Sequence, residues 1–181
     1  MAEPVPGDVH TEAAWLSDAE QRVWRDFMAA TGMLNAHLEM QLQRDSGMPI
    51  TYYEVLVRLS EAPGHTQRMS ELAEACHASR SKLSHAVARM EASGWVDRSS
   101  CPTDKRGYFA TLTSAGLQAL RRAAPGHVSA VRRQLFDVLT PEQVDALGEI
   151  STAIMVGLAG ECAAAAAKEF EEELSDTPGG E

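Results

Sequence analysis

The sequence predicts a mainly α-helical fold with one small β-hairpin, on three observations. Helix-opening signals recur along the chain, each a hydroxyl residue followed three positions later by Glu or Gln. Two short helical patterns meet at a tight connection, His77-Ala78. A short apolar segment, Trp95-Val96, then enters a hairpin that returns through Tyr108 to Leu112 with alternating apolar and polar residues.

Ser17-Asp18-Ala19-Glu20 is a capping box and opens the first helix. Behind it Trp24, Phe27, Thr31, Leu34, Leu38 and Leu42 recur at steps of three and four, an apolar stripe that ends near Ser46-Gly47. Thr51-Tyr52-Tyr53-Glu54 reads as a second box, with Tyr52, Val55, Leu56 and Leu59 inward and a stop at Pro63-Gly64. Ser70 is expected to cap a short helix from Glu71 to Cys76, and Ser79 to cap another that ends at Ser93-Gly94. In the latter Leu83, Val87 and Met90 share one face. Ser81, Ser84, His85 and Ala88 lie on the opposite face, flanked by Lys82 and Arg89.

Between the hairpin strands, Pro102 and Gly107 mark a loop too long for a tight two-residue turn. A fifth helix pattern runs from Ser114 to Leu139, and Pro125-Gly126 within it is expected to break or kink the helix. Thr140-Pro141-Glu142-Gln143 is a third capping box, with Pro at the first helical position where its missing N–H does no harm. The helix behind it is long, because Val144, Leu147, Ile154 and Leu158 keep an apolar seam and Ala163 to Ala167 are strong helix formers.

Composition narrows the function classes. The 181 residues are 44% apolar and 23% charged, as in a soluble globular protein. The apolar run around Ile150 to Gly160 is too short to span a bilayer, and Met1 to Thr11 has no export signal pattern, so the expected compartment is the cytoplasm, with no membrane partner. Cys76, Cys101 and Cys162 form no CxxC pair, and the histidines at 10, 37, 65, 77, 85 and 127 are scattered. Reduced thiols and no metal or other cofactor are expected. No GxSxG, HExxH, P-loop or paired-carboxylate pattern points to an enzyme.

Charge is distributed unevenly. From His65 to Thr111 seven Lys and Arg face five acids, a net of +2. The rest of the chain then holds nine basic and twenty-one acidic residues, −12 of the total −10. A phosphate backbone would attract the middle segment and repel the remainder.

Two short helices at a sharp turn, followed directly by a hairpin, make a winged helix-turn-helix. The stretch "MSELAEACHASRSKLSHAVARMEASGWVDRSSCPTDKRGYFATLTSAG" resembles the MarR family of bacterial transcription regulators. The resemblance rests on Leu72-Ala73, Gly94-Trp95-Val96, Asp104-Lys105-Arg106-Gly107 and Leu112-Thr113-Ser114-Ala115-Gly116, and with the flanking helices it spans roughly Ser17 to Phe170. It implies a MarR-like domain over 17–173, with a winged helix over about 51–112 and dimerisation helices over about 17–46 and 114–173. Residues 1–16 and 174–181 are expected to be disordered tails.

The resemblance also implies a homodimeric, ligand-responsive repressor that binds double-stranded DNA at a pseudo-palindromic operator. Ser79, Arg80, Ser81, Lys82, Ser84, His85 and Arg89 would then belong to the major-groove helix, with Ser81, Ser84 and His85 nearest base edges. Asp104 would pair with Arg98 and stiffen the wing, from which Lys105 and Arg106 reach DNA, Arg106 in a minor groove. A small aromatic or anionic effector would sit near Trp24, Met33, His37, Tyr52 and Tyr53. Peroxide-sensing relatives carry a Cys near the start of the first helix, and here none precedes Cys76, which counts against that mechanism; for Cys101, beside the wing, a spectator thiol is expected over an oxidation site. The competing reading is a winged helix used only for dimerisation or protein contact, without specific DNA binding.

Overall fold

The structure, a computed structural model, describes residues 15–101 and 104–175, and the side chains of all of these but 104–106 and 161–175. Six α-helices and a three-stranded antiparallel sheet make up the described residues: α1 (Asp18–Ser46), α2 (Ile50–Glu61), β1 (Thr66–Arg68), α3 (Met69–Ala75), α4 (Arg80–Ala92), β2 (Val96–Cys101), β3 (Asp104–Leu112), α5 (Ser114–Gln134) and α6 (Pro141–Ser175). This is the mainly α fold with a small wing that the patterns predict. The tails expected at 1–16 and 174–181 fall largely outside the described residues.

Two of the three capping boxes form as read. Ser17 N–H donates to Glu20 Oε2 at 2.7 Å while Glu20 N–H reaches Ser17 Oγ at 3.3 Å. The Ser17 hydroxyl, which donates to the same carboxylate oxygen at 2.6 Å, and then the Ser17 N–H hold the Glu20 carboxyl below its ordinary range. At the far end of α1 Gly47 takes the left-handed conformation, φ 64°, that a β-carbon would strain. The Thr140 box closes with Thr140 N–H to Gln143 Oε1 at 2.9 Å and Gln143 N–H to Thr140 Oγ at 3.3 Å.

The Thr51 box does not form. α2 begins two residues earlier, with Pro49 at the N-cap, and the Ile50 N–H is taken by Glu39 Oε2 of α1 at 2.8 Å. A tertiary carboxylate thus replaces the local cap. Ser70 is likewise inside its helix and not at its start: α3 begins at Met69 with Arg68 as N-cap, because Arg68 ends a strand that runs straight into the helix. That strand, β1, was not anticipated; its Thr66-Gln67-Arg68 is too short and polar to show alternation. It pairs with β3 in the register Thr66↔Thr111 and Arg68↔Phe109, so that β3 is central.

The hairpin strands are longer than their apolar pattern. β2 pairs with β3 from Val96↔Leu112 to Ser100↔Tyr108, then shifts register so that Cys101 pairs with Asp104. Lys105, Arg106 and Gly107 are the extra residues on β3, and the expected long loop is mostly strand. The break expected at Pro125-Gly126 is absent, for α5 stays helical from Ser114 to Gln134 with Pro125 inside it. The chain divides into two compact units just beyond, one ending at His127 and the other beginning at Val128.

One core holds the first unit together. Leu42 of α1, Val55, Leu56 and Leu59 of α2, Leu72 of α3, Leu83, Val87 and Met90 of α4, and Val96, Ala110 and Leu112 of the sheet are buried together. Burying each Leu or Val adds about 1.5–3 kcal/mol. Tyr53, not Tyr52, is the tyrosine of α2 that is buried. Tyr52 is half-buried, edge-on to Trp95 with ring centroids 6.5 Å apart.

The junction of wing and α5 explains the Leu112-to-Gly116 segment. Thr113 Oγ1 donates to the Gly94 carbonyl at 2.7 Å and accepts the Gly116 N–H at 3.0 Å, and the Thr113 N–H bonds the Trp95 carbonyl at 3.0 Å. One threonine therefore caps α5 and ties it to the strand entry. Gly116 is needed because a β-carbon there would lie 2.1 Å from the Trp95 carbonyl oxygen.

Outside this core the long helices carry uncovered apolar side chains. On α1 these are Val23, Trp24, Phe27, Met28, Met33 and Met40; in the second unit, α6 shows Ile150, Ile154, Met155, Val156 and Leu158. Among the described residues no helix is long and apolar enough to cross a membrane.

Candidate nucleic-acid interface

α4 is placed by its two ends. Ser79 accepts the Lys82 N–H at 3.3 Å, while the turn before it is closed by Ala78 N–H to the Ala73 carbonyl at 2.9 Å, with His77 left-handed at φ 47°. At the other end Gly94, φ 71°, reverses the chain into β2. Leu83, Ala86, Val87 and Met90 are buried, which turns Ser79, Arg80, Ser81, Lys82, Ser84, His85 and Arg89 outward. All seven residues expected on a groove-facing helix are exposed.

They do not form one flat face. α4 separates two clefts. The first, of about 630 Å³, lies between α4 and the sheet and is lined by Arg80 and Ser84 of the helix, Arg98 and Tyr108 of the wing, and Arg68, Met69 and Ser70. The second, about 650 Å³, lies between α4 and α2; Ser79, Lys82, His85 and Arg89 face Tyr52, Glu54, Cys76 and His77 across it.

Their electrostatics differ. The first cleft brings three guanidinium groups together, with Ser70, Ser84 and Tyr108 as hydroxyl donors, and among the described residues its lining carries no carboxylate. That combination suits phosphate oxygens, which accept charge-assisted hydrogen bonds. The second has Glu54 in its wall, a carboxyl raised above its ordinary value chiefly by burial, and Cys76, a thiol raised by burial and then by Glu54. Burial opposes the thiolate there. Among the described residues no group of His, Cys, Asp and Glu could hold a metal ion.

Arg68 and Glu91 were missed as site residues. Arg68 stands at the end of β1, where its guanidinium donates to Cys101 Sγ at 3.3 Å and lies 5.9 Å from the Phe109 ring centroid. Cys101 is buried. Glu91, near the end of α4, accepts from Arg98 Nε at 2.6 Å. The sequence signal for Arg68 was its charge, whose place in the cleft depends on a strand too short to recognise.

The side chains of Asp104, Lys105 and Arg106 lie outside the described residues, and with them the Asp104–Arg98 pairing. Of the residues expected around an effector, Trp24, Met33 and His37 are exposed on α1, Tyr52 lines the second cleft and Tyr53 packs against His127 with ring centroids 4.4 Å apart. The two tyrosines, adjacent in sequence, thus serve different neighbourhoods.

The MarR family model matches residues 48–108. Sco3205 of Streptomyces coelicolor, a MarR family transcriptional regulator crystallised in complex with DNA, is 56% identical, with a TM-score of 0.77 over 80% of this chain and 91% of that one. AbsC, a MarR family transcriptional regulator of the same organism, is 42% identical with a TM-score of 0.76, over 82% of this chain and 99% of AbsC. The transcriptional repressor MprA of Escherichia coli K12 is 25% identical over 115 residues, 64% of this chain; the match spans 65% of MprA's own length.

Proposed function

Because the chain belongs to the MarR family of transcriptional regulators, we propose that it is a sequence-specific double-stranded DNA-binding regulator, a ligand-responsive repressor acting as a homodimer on a pseudo-palindromic operator. The observation that carries the DNA reading is the outward face of α4 beside a cleft with three guanidinium groups and no described carboxylate. Sco3205, similar over most of its length, is a DNA-bound regulator, and MprA is named a repressor.

In this reading Arg80, Lys82, Arg89 and Ser79 hold phosphates, and Ser81, Ser84 and His85 face base edges in the major groove. Arg98 and Asp104 support the wing, Lys105 contacts the backbone and Arg106 enters the minor groove. Dimerisation covers the apolar side chains left exposed on α1 and α6, and a two-fold protein matches two half-sites. The effector, small and aromatic or anionic, is assigned to the neighbourhood of Trp24, Met33, His37, Tyr52 and Tyr53. Replacing Tyr52 or His37 is expected to reduce the response to an established ligand and to leave unliganded DNA binding intact.

Titration onto the intergenic duplex upstream of the coding sequence, at several salt concentrations, tests the central claim. Specific retention with log K falling steeply in log salt is expected, by about 0.9 per neutralised phosphate. Absence of specific retention would favour an interaction module instead.

A further inference from the structure

The wing carries one feature that family membership does not supply. Arg98 on β2 is bound through both Nε and a terminal nitrogen to a single oxygen, Oε2 of Glu91 on α4, each at 2.6 Å. The two side chains are 34% and 35% exposed, so the pair is neither sealed in the core nor free in water. It joins the C-terminal part of the recognition helix to the wing, and the guanidinium it fixes lines the same cleft as Arg68 and Arg80.

A long side chain such as Arg98, if unrestrained, would sample several rotamers and reach into solvent. The Glu91 carboxylate restrains it, yet is not among the residues that line the cleft. We infer that Glu91 is a positioning residue for DNA binding: it holds Arg98 in the cleft between recognition helix and wing, so that the guanidinium meets a phosphate without first losing its side-chain freedom. The inference rests on the DNA-binding reading above.

Charge alone predicts the opposite of this proposal. An acid next to a polyanion site should weaken binding, and its removal should strengthen it. A half-exposed ion pair also contributes little to folding, so stability is not where Glu91 should register.

Glu91→Gln keeps the shape and removes the charge; Glu91→Ala removes both. Each is to be made in the native chain and in an Arg98→Ala background, with affinity measured on the upstream intergenic duplex at one fixed salt concentration and melting curves recorded alongside. The expected result is about tenfold weaker binding for both Glu91 variants in the native background, with little change in melting temperature. In the Arg98→Ala background the same substitutions should leave binding unchanged or tighten it, because no guanidinium remains to be positioned.

Unchanged or tighter binding by Glu91→Gln in the native background would overturn the proposal. So would equal weakening in both backgrounds, which would place the effect of Glu91 elsewhere. If the native protein itself shows no specific retention, the DNA-binding reading fails and this inference with it. Native retention with a neutral Glu91→Gln removes only the positioning role.

Discussion

Gly116→Ala is expected to be strongly destabilising, although it replaces the poorest ordinary helix former with the best. Propensity alone predicts a gain of up to about 1 kcal/mol in a helix interior. The structure predicts a loss. The new β-carbon would sit 2.1 Å from the Trp95 carbonyl oxygen, 2.8 Å from Leu112 Cδ1 and 2.9 Å from the Trp95 carbonyl carbon. Van der Waals contact requires a little over 3 Å, so α5 must retreat from the strand entry by roughly 1 Å, and the obstacle is backbone with no rotamer to change. Retreat strains the three bonds that converge on Thr113. Overpacking costs typically 1–3 kcal/mol and a lost cap about 1 kcal/mol, which together exceed the propensity gain of up to about 1 kcal/mol by roughly 1–3 kcal/mol. For a chain of 181 residues this corresponds to a fall in melting temperature of roughly 2–12 °C. Gly148→Ala is the control, since nothing lies within 4 Å of a β-carbon built there, and it is expected to be neutral or stabilising. Urea and thermal unfolding of both variants decide the matter. A Gly116→Ala protein as stable as the native one would show that the close approach of α5 to Trp95 is not a constraint.

Arg106→Ala is expected to cost on the order of 1–3 kcal/mol of DNA affinity in a gel-shift or anisotropy titration while the melting temperature barely moves. Asp104→Ala should weaken binding on the same fragment if the acid braces the wing, and tighten it if the wing is only an electrostatic patch. Sedimentation at low micromolar concentration should show a homodimer, and charged substitutions at Phe27 of α1 or Ile154 of α6, each exposed in the chain, should shift it toward monomer. For pH, His127 is the group to watch: burial holds its pKa below the ordinary 6.5, and among the described residues its buried Nδ1 has no hydrogen-bond partner. The unfolded chain therefore takes up the proton first, so the contribution of this site to stability is full above about pH 6.5 and declines as pH falls below it. Denaturant midpoints between pH 5 and 8 should show this slope, and His127→Phe should flatten it.

What the sequence determined by itself is whatever depends on residues a few positions apart. The Ser17, Ser79 and Thr140 caps are bonds spanning three residues, so their partners are readable from the chain. The buried face of α4 follows from helical spacing, and that leaves Arg80, Ser81, Lys82, Ser84, His85 and Arg89 outward wherever the core lies. The uneven charge, and the wing and turn residues that carry the family resemblance, are equally local. Tertiary structure decided the rest. Glu39, eleven residues away, displaced Thr51 as the cap of α2, because a carboxylate from a packed helix can reach an amide that no local side chain serves. β1 exists only because β3 offers its edge to three residues that would not form a strand alone. Which tyrosine of the Tyr52-Tyr53 pair is buried depends on where His127 and Trp95 arrive. The exposed face of α4 was readable, but its division between a wholly basic cleft and one walled by Glu54 was not, since opposite walls come from elements tens of residues apart. Arg98 makes the same point within seven residues: its bond to Glu91 crosses from helix to strand, and only the packing of one against the other brings the charges together.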